Sequence, residues 1–150
     1  MINKQRQLDL EKYYNLLLAT LNYLSELNDR SFIYDDIDPV AEYYQEQKQQ
    51  TEQNFQQRRL DRLRKRFTSL TKGLENSIDL KFSTYIKEKT GYEIDIFEDL
   101  NRRLEVILTK EKIFNQQDLN DVLKALELYK QRSIEEDKIQ KLPIPQVNIA

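Results

Sequence analysis

The sequence predicts an all-α protein, an elongated bundle of about four helices organised around one long helix. Glycine and proline, which interrupt helices, number only two and three among 150 residues. Leu, Gln, Glu and Lys, which favour helices, are abundant. Apolar residues also recur three and four positions apart over several stretches. Together these observations favour a single helical domain over residues 1–141, followed by an extended tail over 142–150.

The first predicted helix covers residues 3–27. Leu10, Leu17, Leu21 and Leu24 recur at helical spacing, and further apolar residues widen this stripe. This is the most hydrophobic helix of the chain, so we expect it at the centre of the core. Residues 28–38 form a connector.

The long central helix is predicted over about 39–90. Asp38 is suited to cap free backbone N–H groups, and Pro39 suits the first helical position because its missing N–H would be unpaired there. Gly91 is suited to the left-handed conformation that ends many helices. Between these ends the only strong helix breaker is Gly73, where we expect a bend or a close helix approach.

The two halves of this helix differ in character. From Leu60 onward, apolar residues alternate at spacings of three and four, as in a core-facing or coiled-coil stripe. Residues 45–57 instead contain seven Gln and a single large apolar residue, Phe55. Residues 39–57 are therefore expected to be an exposed arm, projecting from the bundle or ordered by a partner. The apolar stripe comprises Leu60, Leu63, Phe67, Leu70, Leu74, Ile78, Phe82, Tyr85 and Ile86.

The remaining chain predicts a C-terminal αα-hairpin. The third helix is expected from about Asp95 to Lys112, and a short turn around Phe114 leads to a fourth helix that ends near Arg132. Asn115 and Asp118 resemble a helix cap. Because the link is short, the two helices are expected to be antiparallel. The side chains expected to face inward on the fourth helix are Leu119, Val122, Leu123, Leu126 and Tyr129.

The tail over 142–150 cannot be helical across Pro143 and Pro145. It alternates apolar and polar residues in an extended pattern. One interpretation is a frayed terminus, and the other is a short motif that binds a partner protein. The partner-binding residues would be Leu142, Ile144, Val147 and Ile149.

The main local excess of positive charge is a set of six basic residues, which we call the basic face. On a helix its residues lie opposite or beside the apolar stripe. One interpretation is a solvated surface whose charges pair with neighbouring acidic groups. Another is a nucleic-acid contact, since a row of cations can neutralise phosphates. A third is an acidic protein partner or a membrane surface, of which the membrane is disfavoured because the apolar face is needed for the core. The residues are Arg58, Arg59, Arg62, Lys65, Arg66 and Lys72.

Composition argues against an enzyme. The chain has no His, so the commonest general base and transition-metal ligand are missing, and it has no Cys for thiol chemistry. It lacks a phosphate-binding glycine loop, and no Asp or Glu lies within a predicted core stripe. We therefore predict no catalytic residues, no metal and no cofactor. The absence of Cys agrees with a cytoplasmic protein, and the net charge of −2 and the lack of a long apolar run predict no membrane partner.

The leading functional hypothesis is a non-enzymatic interaction or assembly subunit. It would act through coiled-coil-like packing, as a homo-oligomer or with a protein partner. The alternative is a small nucleic-acid-associated subunit that contacts phosphates through the basic face at 58–72.

Overall fold

The computed structural model describes residues 3–27 and 38–140, with side chains up to residue 133. These residues form an all-helical fold with no strand, as the sequence predicts. The helices are α1 (Lys4–Leu27), α2 (Pro39–Gln56), α3 (Leu60–Asn76), α4 (Phe82–Thr90), α5 (Glu98–Lys110) and α6 (Gln116–Gln140). The predicted tail residues Leu142, Ile144, Val147 and Ile149 lie outside the described residues.

The chain divides into two compact units. The first is Met1–Ile96 and contains α1 to α4, and the second is Phe97–Ala150 and contains α5 and α6. Each has buried apolar side chains of its own.

Helix α1 is the centre of the first unit, as its hydrophobicity predicts. It packs against α2, α3 and α4, and one aromatic contact marks each pairing. Tyr14 stacks on Phe55 of α2, with ring centroids 4.2 Å apart. Tyr13 meets Phe67 of α3 edge-on, and Tyr23 meets Phe82 of α4 in the same way. Such pairs add to the stabilisation from burial, which is greatest for the fully buried leucines of α1. These leucines are Leu10, Leu16, Leu17 and Leu21.

The single long helix predicted over 39–90 is wrong, because three separate helices occupy that stretch. Its two ends are placed as predicted. The Asp38 carboxylate accepts a hydrogen bond from the Ala41 N–H at 3.0 Å, and Gly91 takes the left-handed conformation at φ 80° after α4. The error is in the interior, where the chain turns at residues 57–59 and again at 77–81.

Both interior breaks are closed by the same hydrogen-bond motif. After α2, the N–H of Arg59 donates to the Asn54 carbonyl at 2.8 Å, and the N–H of Arg58 donates to the Phe55 carbonyl at 3.0 Å. Arg58 has a φ of 56°. This pairing is the Schellman arrangement, in which a left-handed residue ends a helix.

The break after α3 repeats this arrangement with Ile78 at φ 54°. The N–H of Asp79 donates to the Leu74 carbonyl at 3.0 Å, and the N–H of Ile78 donates to the Glu75 carbonyl. Glycine usually occupies the left-handed position, whereas here an arginine and a β-branched isoleucine occupy it. The sequence therefore carries no glycine signal at either break, and Gly73 lies inside α3.

The left-handed Arg58 leads to a stability prediction. Arg58→Gly is expected to raise the free energy of unfolding by about 0.5–1 kcal/mol, because glycine adopts this conformation without steric cost. Urea unfolding measures the change. Gln57→Gly is the matched control, because Gln57 has an ordinary φ of −84°, so its replacement is expected to destabilise the protein. Equal effects of the two substitutions would contradict this account of the break.

Most of the apolar stripe predicted beyond position 60 forms the seam of the first unit, whereas its members Leu70, Ile78 and Tyr85 are only partly buried. Leu63, Phe82 and Ile86 are fully buried, and Leu60, Phe67 and Leu74 are buried. Residues 39–57, for which the sequence predicts an exposed arm, pack as α2 against α1 and α3. Thr51 is buried there, and α2 has no large apolar side chain that is fully buried.

Candidate interaction surface

The turn between α5 and α6 is capped as the sequence predicts. The side chain of Asn115 accepts a hydrogen bond from the Asp118 N–H at 2.8 Å. The Asp118 carboxylate accepts one in return from the Phe114 N–H at 3.0 Å. This reciprocal arrangement satisfies backbone donors at the start of α6 and fixes where the helix begins.

Two contacts show that α5 and α6 run antiparallel. Arg103 of α5 lies 3.0 Å from Asp121, one turn into α6. Phe97, just before α5, lies beneath the guanidinium of Arg132, about three turns further along α6. An earlier residue of α5 therefore meets a later residue of α6, so the pair is the predicted αα-hairpin.

The buried side of α6 is narrow and partly polar. Asp121, Ala125 and Leu128 are 1%, 4% and 0% exposed. The Asp121 carboxylate accepts hydrogen bonds from Arg103 at 3.0 Å and from Gln117 at 3.1 Å. Because a buried carboxylate is stable only with such partners, this cluster holds α6 in one rotation about its axis.

The opposite side of α6 is apolar and exposed. Leu126 lies about 160° around the helix from Leu128, at 100° per residue. We call this side the outer α6 face. Its members are Leu119, Leu123, Leu126 and Tyr129, with exposed fractions of 37%, 54%, 60% and 55%.

The prediction that these side chains face inward is therefore wrong. The hydrophobic pattern on α6 has two possible buried sides, and one partner helix can cover only one of them. The stripe that packs inward carries the small Ala125 and the paired Asp121, which hydropathy alone ranks below a row of leucines. Between residues 97 and 133 the further exposed large apolar side chains are Val106, Leu108, Ile113 and Phe114.

The buried pair on the inner side of α6 leads to a second prediction. Arg103→Ala is expected to lower the free energy of unfolding by about 2–3 kcal/mol, because it leaves the Asp121 carboxylate buried without its cation. Arg102→Ala is the matched control, since Arg102 pairs with Asp99 on the exposed surface; its loss is expected to be below about 1 kcal/mol. Urea unfolding followed by circular dichroism compares the two, and equal losses would contradict the role given to Arg103.

The basic face is divided by the breaks and by side-chain pairing. Arg58 and Arg59 lie at the turn between α2 and α3, and Arg62 and Lys65 lie on α3; all four are exposed. Arg66 instead turns towards α2, where it donates to the side-chain oxygen of Gln47 at 2.7 Å.

The sixth basic residue, Lys72, lies 3.7 Å from the carboxylate of Glu75. Glu75 and Asp121 are both buried, although no acidic residue lies in a predicted core stripe. Both are partners in ion pairs with basic residues, which is the usual structural reason for burying a carboxylate.

A polar groove of about 560 Å³ lies between α1 and α4. Asn15, Asn22, Glu26, Tyr85 and Lys89 are among its lining residues. Burial, and then the nearby Glu26 carboxylate, raises the pKa of Tyr85. The hydroxyl of Thr90, which also lines the groove, donates to the Ile86 carbonyl at 2.6 Å.

Comparison with known proteins adds no relative. The chain matches no protein-family model, no curated protein and no solved structure. Within residues 3–27 and 38–140, no helix combines the length and apolar character required to cross a bilayer. The same part of the chain contains no cluster of three or more acidic side chains arranged to hold a metal ion.

Proposed function

We propose that this chain is a non-enzymatic interaction or assembly subunit that packs against a helical protein through the outer α6 face. The observation that carries the proposal is the position of Leu123 and Leu126, which point away from the buried side of their own helix pair. Contiguous apolar surface of this kind marks interaction sites more often than it marks ordinary surface. The proposal includes the cytoplasm as the place of action and a protein as the partner.

The chemistry of the face favours a helix as its ligand. Leu119, Leu123 and Leu126 follow the alternating four- and three-residue spacing by which helices interlock side chains. Tyr129 widens the face at its far end and combines a large apolar ring with a polar tip, as is common in interfaces.

The test compares two substitutions of the same kind. Leu123→Glu places a charge in the face, whereas Leu8→Glu places one at a leucine of α1 with a similar exposed fraction, 57%. Each variant is immobilised and exposed to extract from the cells in which the protein occurs. The retained proteins are identified by mass spectrometry, purified and tested for rebinding. We expect a retained helical protein, or the chain itself, to be lost with Leu123→Glu and kept with Leu8→Glu. Equal retention by both variants would overturn the proposal.

The alternative is a nucleic-acid role for the basic face. Four exposed cations at Arg58, Arg59, Arg62 and Lys65 support it, since phosphate contacts need accessible positive charge. Arg66 turns towards α2 and Lys72 contacts Glu75, so the row of basic residues available to phosphates is shorter than the sequence suggests. Fluorescence anisotropy with labelled DNA and RNA at low salt separates the two functions. Binding that is lost with Arg62→Glu combined with Lys65→Glu supports the alternative, and absence of binding eliminates it.

A further inference from the structure

Resting on the proposed function, we propose that the outer α6 face binds a second copy of this chain. The two α6 helices would pair antiparallel about a twofold axis that crosses the outer α6 face midway between Leu123 and Leu126. Such an axis makes the same face serve both copies, as in most homodimers.

The spacing along α6 allows this pairing. Leu119, Leu123 and Leu126 are followed at the next four-residue step by Lys130. These four positions are successive core positions of a short coiled coil. In the antiparallel register, Leu123 packs against Leu126 of the second copy, so the two central layers are entirely leucine.

The charge of Lys130 favours an antiparallel over a parallel pair of α6 helices. A parallel pair would place Lys130 against Lys130 of the second copy, and like charges at a core position repel. The antiparallel pair instead places Lys130 beside Leu119 of the second copy. The stem of Lys130 covers that leucine, and its ammonium group reaches water at the edge of the pair.

The flanking positions agree with the same direction. In the antiparallel register Val122 lies beside Tyr129 of the second copy, which joins two apolar side chains. On the other flank Asn120 lies beside Glu127 of the second copy, which joins a donor to an acceptor. A parallel pair would bring Val122 next to Glu127 and so cover a carboxylate with an apolar side chain.

The apolar area that the outer α6 face can bury indicates a weak interaction between the two copies. Four large side chains of about 200 Å² each, roughly half exposed, supply about 400 Å² per copy. With the flanks, the pair buries on the order of 1,000 Å², which is the size of weak, reversible interfaces. The expected dissociation constant is therefore in the micromolar range, on the order of 10 µM.

Sedimentation equilibrium of the purified chain tests the dimer. We expect a monomer–dimer equilibrium for the wild type and for Leu8→Glu, and at least about tenfold weaker association for Leu123→Glu, because its carboxylate would be buried in the interface. Circular dichroism verifies that each variant is folded. A wild type that stays monomeric well above the expected dissociation constant, or one that Leu123→Glu leaves dimeric, overturns the proposal.

Cross-linking tests the direction, and the chain suits it because it contains no cysteine. Leu119→Cys and Lys130→Cys proteins are mixed in equal amounts and oxidised. In the antiparallel pair these two positions meet, whereas two copies of either position lie roughly 16 Å apart along the axis, at about 1.5 Å per residue. Disulfides between the two variants support the proposal. Disulfides mainly between like variants reveal a parallel pair and overturn it.

The outcomes separate this proposal from the proposed function. If the purified chain is monomeric but a different helical protein is retained through Leu123, the second copy is wrong and the interaction function stands. If the chain is monomeric and no retained protein depends on Leu123, both fail.

Discussion

Leu128→Ala is expected to lower the free energy of unfolding by about 3 kcal/mol, whereas Leu126→Ala is expected to lower it by less than about 1 kcal/mol. The two residues are identical in type and two positions apart, so helix propensity contributes equally to both substitutions. They differ only in the side of α6 from which their side chains project. Leu128 is fully buried against α5, and Leu126 is 60% exposed.

Urea unfolding at low protein concentration provides the measurement, since dilution keeps self-association from stabilising the wild type. Sedimentation of the same two proteins at high concentration adds a second comparison. There Leu126→Ala is expected to weaken association, and Leu128→Ala acts only through stability. If Leu126→Ala destabilises the dilute monomer as much as Leu128→Ala, then α6 is rotated the other way and the outer α6 face is not exposed.

The orientation of α6 about its own axis shows why the sequence predicts the position of the helix correctly but predicts the wrong exposed side. Periodicity locates the apolar stripe around Leu119, Leu123 and Leu126 correctly, and the Asn115–Asp118 cap locates the start of the helix. Which stripe is buried depends on the partner helix. Arg103 approaches Asp121 from α5, and that long-range pairing carries no signal in the local pattern of α6.

The breaks in the central stretch show a similar limit. Asp38 and Gly91 mark helix ends with residues suited to that role, so both ends are predicted correctly. Arg58 and Ile78 end helices in a conformation that their side chains disfavour. Tertiary packing of α2, α3 and α4 around α1 compensates for that cost, and the sequence around each break resembles uninterrupted helix.

The apolar seam of the first unit was predictable because burial follows periodicity directly there. Leu63, Phe82 and Ile86 lie on the predicted stripe and are fully buried. Although the break at 77–81 interrupts the stripe, α3 and α4 both turn their parts of it towards α1. The exposure of the outer α6 face lacked such a signal, because an exposed apolar stripe has the same sequence pattern as a stripe that faces the core.

Asp79→Ala is expected to destabilise the first unit by about 3 kcal/mol, because one carboxylate serves three donors. It accepts hydrogen bonds from the N–H groups of Lys81 and Phe82 at 2.9 and 2.8 Å, which initiate α4. It also accepts the hydroxyl hydrogen of the buried Tyr23, with distances of 2.8 and 2.7 Å to its two oxygens. Alanine leaves all three donors without this acceptor.

A double-mutant cycle separates the two roles of Asp79. Tyr23→Phe removes the hydroxyl and keeps the ring against Phe82, so the coupling between Tyr23 and Asp79 measures their hydrogen bond alone. We expect a coupling of about 1–2 kcal/mol. Asp61→Ala is the control for the loss of an exposed acidic residue in the first turn of a helix, and its expected effect is below about 1 kcal/mol. A coupling near zero would contradict the structural link between α1 and the start of α4.

Because of the same contact between Tyr23 and Asp79, the free energy of unfolding is expected to fall at alkaline pH. Burial, and then the hydrogen bond to Asp79, raises the pKa of Tyr23, so the folded protein holds the phenol neutral. In the unfolded chain the phenol ionises near its ordinary pKa of about 10. The stabilisation is therefore complete below about pH 10 and is lost as the pH rises above that value towards the folded-state pKa, by up to about 1.4 kcal/mol per pH unit. Urea unfolding between neutral and alkaline pH is expected to show a steeper decline for the wild type than for Tyr23→Phe, and parallel declines would mean that Tyr23 ionises in the folded protein as readily as in the unfolded chain.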